Sequence, residues 1–315
     1  MAGFDAVANH IELLLFPVLL DLFLWLGPRW RVEPVVRQFL DQMAAIPQVN
    51  MPEMADLMKS SRELWTLLGQ QLNLFNALRS FPIGVPSLIA GMGAQQGPLG
   101  APSVWQAPSF GVVAIVWLVL TAAGLLLGTL YFSTVAQATL AKQLEWGRIV
   151  RSWPWNSLQI GKLMLLWVLL LLMTSIPFTC LLSVLTVAGV TLGQAALFLY
   201  VGLLVWILLP LAFSAHGIFV HGSSTWASVK EGARLTRVSL SITGLFFLMI
   251  LVLSEGLNVL WRTPPPNSWF LLVGVAGHAF VTTGLLAATF VYYRELEHWL
   301  QRLMQQAQFG ENVKG

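Results

Sequence analysis

Charge is what this 315-residue chain has least of. Only 10% of its residues are Asp, Glu, Lys or Arg, where a soluble domain carries about 25%. Hydrophobic residues make up 57%, and the mean hydropathy is +0.73. So few charges cannot clothe a soluble surface, and several apolar runs exceed the ~20 residues a helix needs to cross a bilayer. Cysteine is nearly absent. Cys180 stands alone, which excludes an intramolecular disulfide and a thiolate metal site; within its apolar run it reads as a small buried hydrophobe. Motifs of catalysis are missing too. There is no His-Glu-x-x-His, no Gly-x-Ser-x-Gly, no phosphate-binding loop ending in Lys-Ser/Thr and no carboxylate pair at ligand spacing. His216 and His221 lie about 140° apart around a helix and do not converge on a metal. Ser214 beside His216 has no third group to orient a dyad. No catalytic residue, metal or other cofactor is therefore expected.

The net charge of +3 fits cations flanking membrane spans. No cluster interleaves Lys and Arg with aromatics as a nucleic-acid groove does. The expected partners are membrane lipids and either another membrane protein or a second copy of the chain.

What is present organises as an all-α polytopic bundle of about six spans. Residues 1–30 hold the first, with no cationic n-region or cleavage site of a secretory signal before it. It extends from about Val7 to Trp30, carries Asp21 in mid-run, and should kink at Pro17. Residues 31–109 form the one long polar stretch, expected outside the cytosol. Glu33–Ile46 is amphipathic. A second amphipathic helix starts at Asn50-x-x-Glu53, of capping-box type, and keeps Leu64, Trp65, Leu68 and Leu72 on one face. The two should fold on each other or on the membrane surface. Phe81–Ser109 has five Pro and five Gly in 29 residues and reads as a loop. Its apolar start, Phe81–Ala90, either dips into the interface or packs on the surface.

Residues 110–300 supply five more spans, near Phe110–Thr134, Ile160–Val187 (interrupted by Pro177), Leu192–Val220 (with Pro210), Leu240–Trp261 and Trp269–Tyr293. Residues 301–315 form a tail. Gly124-x-x-x-Gly128 permits close helix approach, and Ala279, Thr283 and Ala287 make a small-residue seam on the last span. Between spans lies the basic elbow Ser223–Ser239. There Lys230, Arg234 and Arg237 stack in one ridge beside an apolar stripe of Trp226, Val229, Ala233 and Leu240, a pattern that suits the headgroup layer. Six spans put both termini on the elbow side. Ten of the 17 cations fall on that side, so both termini are expected in the cytosol of a plasma-membrane protein. Arg29 and Arg31, directly after the first span, count against that orientation. Phe132-Ser133 and Phe213-Ser214 each end a span before a basic, Trp-containing connection, a faint internal repeat.

Ionisable residues within spans cost about 2.5–3.5 kcal/mol on insertion scales. Three qualify: Asp21, Glu255 and His278. Asn258 lies beside Glu255 on the fifth span, and a short loop makes spans five and six antiparallel neighbours. By depth, Glu255 and His278 can face each other. Such a pair either holds two helices together or handles a proton for transport.

The segments Trp226–Arg237 (WASVKEGARLTR) and Gly284–Glu295 (GLLAATFVYYRE) resemble the membrane domain found with glycerophosphoryl diester phosphodiesterases and related uncharacterised multi-span bacterial proteins. The resemblance covers under a third of the chain and implies an all-helical bundle. It does not bring the phosphodiesterase activity, because no soluble catalytic domain is present. Three readings of function remain open at this point: a non-catalytic bundle that binds or organises a partner, a transporter or permease component using Asp21, Glu255 and His278, and a lipid-handling enzyme.

Overall fold

The computed structural model describes residues 2–44, 52–93, 96–141, 144–189 and 193–312. Ile46, Asn50 and Leu192, named above as bounds of expected segments, lie outside them, as does the side chain of Glu53. The described residues form an all-α membrane bundle. Its helices are α1 (Ala2–Asn9), α2 (Leu15–Leu26), α3 (Glu33–Ala44), α4 (Pro52–Gln71), α5 (Phe110–Leu140), α6 (Trp146–Val187), α7 (Gln194–Leu208), α8 (His216–His221), α9 (Thr225–Val238), α10 (Leu240–Trp261) and α11 (Leu271–Asn312). Five stretches are long and apolar enough to span a membrane: α5, α6, the run from α7 through α8, α10 and α11. The chain is a multi-pass membrane protein.

Local chemistry explains the helix ends. Ser109 caps α5, its Oγ accepting from the Val112 amide, a bond that satisfies one of the amides left over at a helix start. Pro210 ends α7: a single 3-10 turn, Leu209–Leu211, bridges to α8. Pro177, expected to interrupt its span, instead lies inside a continuous α6. Thr174 and Ser175, just before it, return their hydroxyls to the Leu170 and Leu171 carbonyls, and Ser175 also lies 2.6 Å from the Tyr200 hydroxyl of α7. Cys180 faces outward from α6 and is not buried.

The first segment departs furthest from expectation. It is not one helix kinked at Pro17. It breaks at His10, and its two limbs, α1 and Ile11–Leu26, meet at 93°; they supply a sixth span only if the bent pair is counted as one. Pro17 falls in the first turn of α2, where a missing amide removes no helical bond. α1 lies against α11 with backbone nearly touching. A methyl on Gly3 would meet the Ala288 amide at 2.5 Å and the Gly284 carbonyl at 2.7 Å. At the far end, Trp25 donates its indole N–H to the Pro266 carbonyl (2.8 Å) in the loop between α10 and α11. The chain then enters a short parallel pairing, β1 (Arg29–Arg31) on β2 (Val104–Gln106), with Arg29 opposite Val104. That pairing brings the two ends of the long polar excursion together.

Within the excursion, α3 and α4 form a hairpin. Gly69 of α4 sits 3.3 Å from Val36 of α3, measured from where a Cβ would lie, and Gln70 donates to Glu33. An ion pair joins Arg62 to Asp41. The segment after the hairpin neither lies on the surface nor merely dips. Ile83, Val85, Leu88 and Ile89 are buried in the bundle, against cores that include Tyr131 of α5 and Ile160 of α6. Gly124 and Gly128 make room for it. A methyl at Gly124 would collide with the Leu78 carbonyl oxygen, and one at Gly128 would meet Gly84 Cα at 2.8 Å and the Ile83 carbonyl oxygen at 2.9 Å. The glycine pair thus receives a re-entrant loop, not a neighbouring helix. Irregular backbone is tolerated at membrane depth only when protein encloses it, and here α2, α5 and α6 do so.

Gly161 of α6, by contrast, has open space where its Cβ would project. Gly128→Ala is expected to lower stability by about 1–3 kcal/mol through overpacking. Gly161→Ala should be neutral or slightly stabilising, because Ala favours helix. Thermal unfolding of the two purified variants in one detergent checks the contrast, and equal midpoints would contradict the inserted loop.

Candidate functional site

Asp21 projects from α2 into the re-entrant loop and is fully buried. Its Oδ1 accepts from Ser87 Oγ (2.5 Å) and the Ile89 amide (3.1 Å), and its Oδ2 accepts from the Leu88 amide (3.1 Å). Ser87 Oγ accepts in turn from the Ala90 amide at 3.1 Å. These amides open the 3-10 turn Ile89–Gly91. Amides at the start of a helical turn have no partner within the turn, so a carboxylate distant in sequence does what a capping residue ordinarily does. Asp21 is therefore engaged as a structural acceptor.

His278 does not face Glu255. Its Nδ1 lies 2.7 Å from Asn258 Oδ1, which puts the ring proton on Nδ1 and joins α11 to α10. Both side chains are buried. The Nε2 of His278 is buried with no hydrogen-bond partner among the described residues. Glu255, one turn before Asn258 on α10, is exposed, and among the described residues it forms no ion pair. The helix carries both residues, but its rotation brings only Asn258 to the interface.

The seam residues Ala279, Thr283 and Ala287 are all fully buried. Thr283 Oγ1 accepts from the Tyr131 hydroxyl at 2.9 Å, which ties α11 to α5. In the elbow helix α9, Lys230, Arg234 and Arg237 are exposed as a ridge. The face α9 buries differs from the apolar stripe expected for it. Thr225, Ser228, Gly232 and Thr236 turn inward with Val229 and Leu235, while Trp226 is 62% exposed. Ser228 donates to the Ser214 carbonyl (2.7 Å), and a methyl on Gly232 would meet the Phe213 carbonyl carbon at 2.9 Å. Trp226 instead carries the Lys230 ammonium 5.4 Å above its ring. Arg234 reaches Met304 on α11.

A second polar centre, on the hairpin side, escaped the sequence reading, which weighed Arg29 and Arg31 only as flanking charges. Both line a small cleft together with Gln70, Gln71, Asn73 and Asn76. Asn73 is fixed by accepting from the Trp30 amide at 3.0 Å. Burial and the nearby Arg31 guanidinium push the Arg29 pKa below its ordinary value. Arg31 has its Nε buried without a hydrogen-bond partner among the described residues. The signal in the sequence was the Arg-x-Arg pair itself, but its polar partners lie about 40 residues away and only folding brings them there.

No family model, curated protein or solved structure matches this chain. The site must speak through its own geometry.

Asp21→Asn keeps the shape but puts an amide donor where one carboxylate oxygen accepted. It is expected to cost about 1–3 kcal/mol, the penalty for leaving a buried donor unsatisfied. Asn258→Leu should cost a similar amount by orphaning His278 Nδ1. Glu255→Gln should leave the unfolding midpoint of the isolated chain unchanged. Thermal unfolding in detergent reads all three, and a neutral Asp21→Asn would contradict the capping role.

Proposed function

We propose that the chain is a non-catalytic membrane bundle that binds or organises a second membrane protein, or a second copy of itself, along the outward face of α10. The observation that carries this reading is Glu255. Its carboxylate is exposed on a helix whose neighbouring side chains are apolar and also exposed: Leu251 at 58%, Val252 at 62% and Val259 at 74%. A charge at membrane depth costs about 2.5–3.5 kcal/mol on insertion scales and is usually paired or turned inward. A donor from a covering helix removes that cost. The apolar face around Glu255 supplies the packing surface for that helix.

Transport is the weaker reading because the polar groups a carrier would use are occupied. Asp21 already accepts three hydrogen bonds, and His278 is bonded to Asn258. In the preferred orientation both termini and the α9 elbow lie in the cytosol of a plasma membrane, with the hairpin outside. The excess of cations on the elbow side supports it.

Native mass spectrometry of the protein extracted gently from its own membrane tests the proposal. A stoichiometric complex is expected, whether with another protein or as a homo-oligomer. Glu255→Ala should dissociate it without lowering the stability of the isolated chain. A lone wild-type chain, or a complex indifferent to that substitution, would overturn the reading.

A further inference from the structure

The α3–α4 hairpin stays amphipathic after its two helices have packed on each other. Phe39 of α3 is 59% exposed and Leu64 of α4 58%, and Trp65, Leu68 and Leu72 are exposed as well. Leu64, Trp65, Leu68 and Leu72 fall within about 100° of one another around α4. The charges lie opposite. Arg62 is about 160° from Leu64 around α4, and its ion-pair partner Asp41 is about 160° from Phe39 around α3. The contact between Val36 and Gly69 joins the two helices, and it leaves the exposed leucines and rings unused.

An apolar groove of about 1040 Å³ runs between this hairpin and the start of α5. Phe39, Trp65 and Leu72 line it from one side, and Phe110, Val113 and Trp117 from the other. Phe110 opens α5, and Trp117 lies about 10 Å further along the helix. α5 is a membrane span, and Phe110, Ile115, Trp117 and Leu118 are all exposed on it. One wall of the groove is therefore continuous with a surface that meets hydrocarbon. A contiguous exposed apolar surface marks an interaction site. Helices with Trp and Leu on one side and charges on the other settle in the plane of the interface, their apolar side about 5–10 Å into the boundary between headgroups and acyl chains. That depth matches the stretch of α5 that borders the groove.

We infer that the α3–α4 hairpin lies in the interfacial layer of the leaflet on its side of the bundle, its apolar face against lipid and acyl chains filling the groove beside α5. The occupant is the bulk lipid of that leaflet, held by hydrocarbon contact and not by headgroup charge. A protein would have to reach the groove through the layer that α5 already shares with lipid. The inference makes no use of the α10 face, and none of the sites tested below lies on α10.

The test uses the full chain on a Cys180→Ser background, reconstituted in phosphatidylcholine vesicles. Single substitutions Phe39→Cys, Leu64→Cys, Leu68→Cys and Val113→Cys carry a nitroxide label. Ile115→Cys, on the exposed face of α5, is the lipid reference. Glu63→Cys is the water reference; Glu63 is exposed and lies about 140° from Leu68 around α4. Collisions of each label with oxygen, which concentrates in hydrocarbon, are compared with collisions with a water-soluble nickel chelate. Labels on Leu64→Cys and Leu68→Cys should lose nickel collisions relative to Glu63→Cys and rise in oxygen collisions to the level of Ile115→Cys. The label on Val113→Cys should match Ile115→Cys, and Phe39→Cys reads the groove if Val113→Cys does not fold. Nickel access at Leu64→Cys and Leu68→Cys equal to that at Glu63→Cys would put the face in water and overturn the inference. Exclusion of both reagents from those two labels would mean that protein covers the face. Exclusion of both from the groove label would mean that the hairpin closes the groove on itself. Each of these results would overturn it too.

Discussion

Asp21 accepts three hydrogen bonds from the re-entrant loop, and the hairpin end of the bundle depends on them. The loop carries irregular backbone into a region without water, where every unpaired amide is costly. Its 3-10 turn at Ile89–Gly91 starts with amides that have no partner of their own. The carboxylate of α2 takes two of them, and Ser87, which also donates to Asp21, takes a third. With those groups satisfied, Ile83, Val85, Leu88 and Ile89 can be buried as ordinary core residues. The glycines of α5 provide the space, and Trp25 and the β1–β2 pairing hold the flanks.

This arrangement gives the protein two unlike ends. On the hairpin side, the chain's own loop fills the bundle, and the hairpin stands over α5 with a cleft beneath it. On the elbow side, packing runs through rings: Phe213, Phe290 and Tyr293 surround His216, whose Nε2 lies 2.8 Å from Thr289 Oγ1. Arg294 extends from α11 to the carbonyl of Leu140 at the end of α5. Each serine of the repeated Phe-Ser pairs contacts the helix that follows its span, Ser133 through Asn156 and Ser214 through Ser228. The interior polar groups are largely engaged in holding helices together. At the periphery, Glu255 stands exposed on α10, and Arg29 and Arg31 line the cleft on the hairpin side.

The five long apolar helices were legible from the sequence because hydropathy and length fix them with no knowledge of neighbours. The ridge of Lys230, Arg234 and Arg237 was legible because helical spacing alone sets it. Gly124 and Gly128 signalled close approach, but spacing says nothing about what approaches, and a loop took the place of a helix. Asp21 stood out as a costly group. Its purpose stayed hidden because its partners are 66 to 68 residues away in sequence. Glu255 and Asn258 sit about 60° apart on one helix, and the rotation that turns Asn258 toward His278 comes from packing, not from the local sequence. The break at His10 had no proline or glycine to announce it.

The most direct test of the inserted loop is cysteine labelling in the native membrane, on a Cys180→Ser background. Single cysteines replace Val85, Leu88 and, as a control, Leu99, which is 73% exposed. A membrane-impermeant maleimide should modify the Leu99→Cys protein rapidly. It should leave the Val85→Cys and Leu88→Cys proteins unmodified until they are unfolded. Labelling of all three at one rate would mean that the loop lies on the surface, and the role given to Asp21 would fall with it.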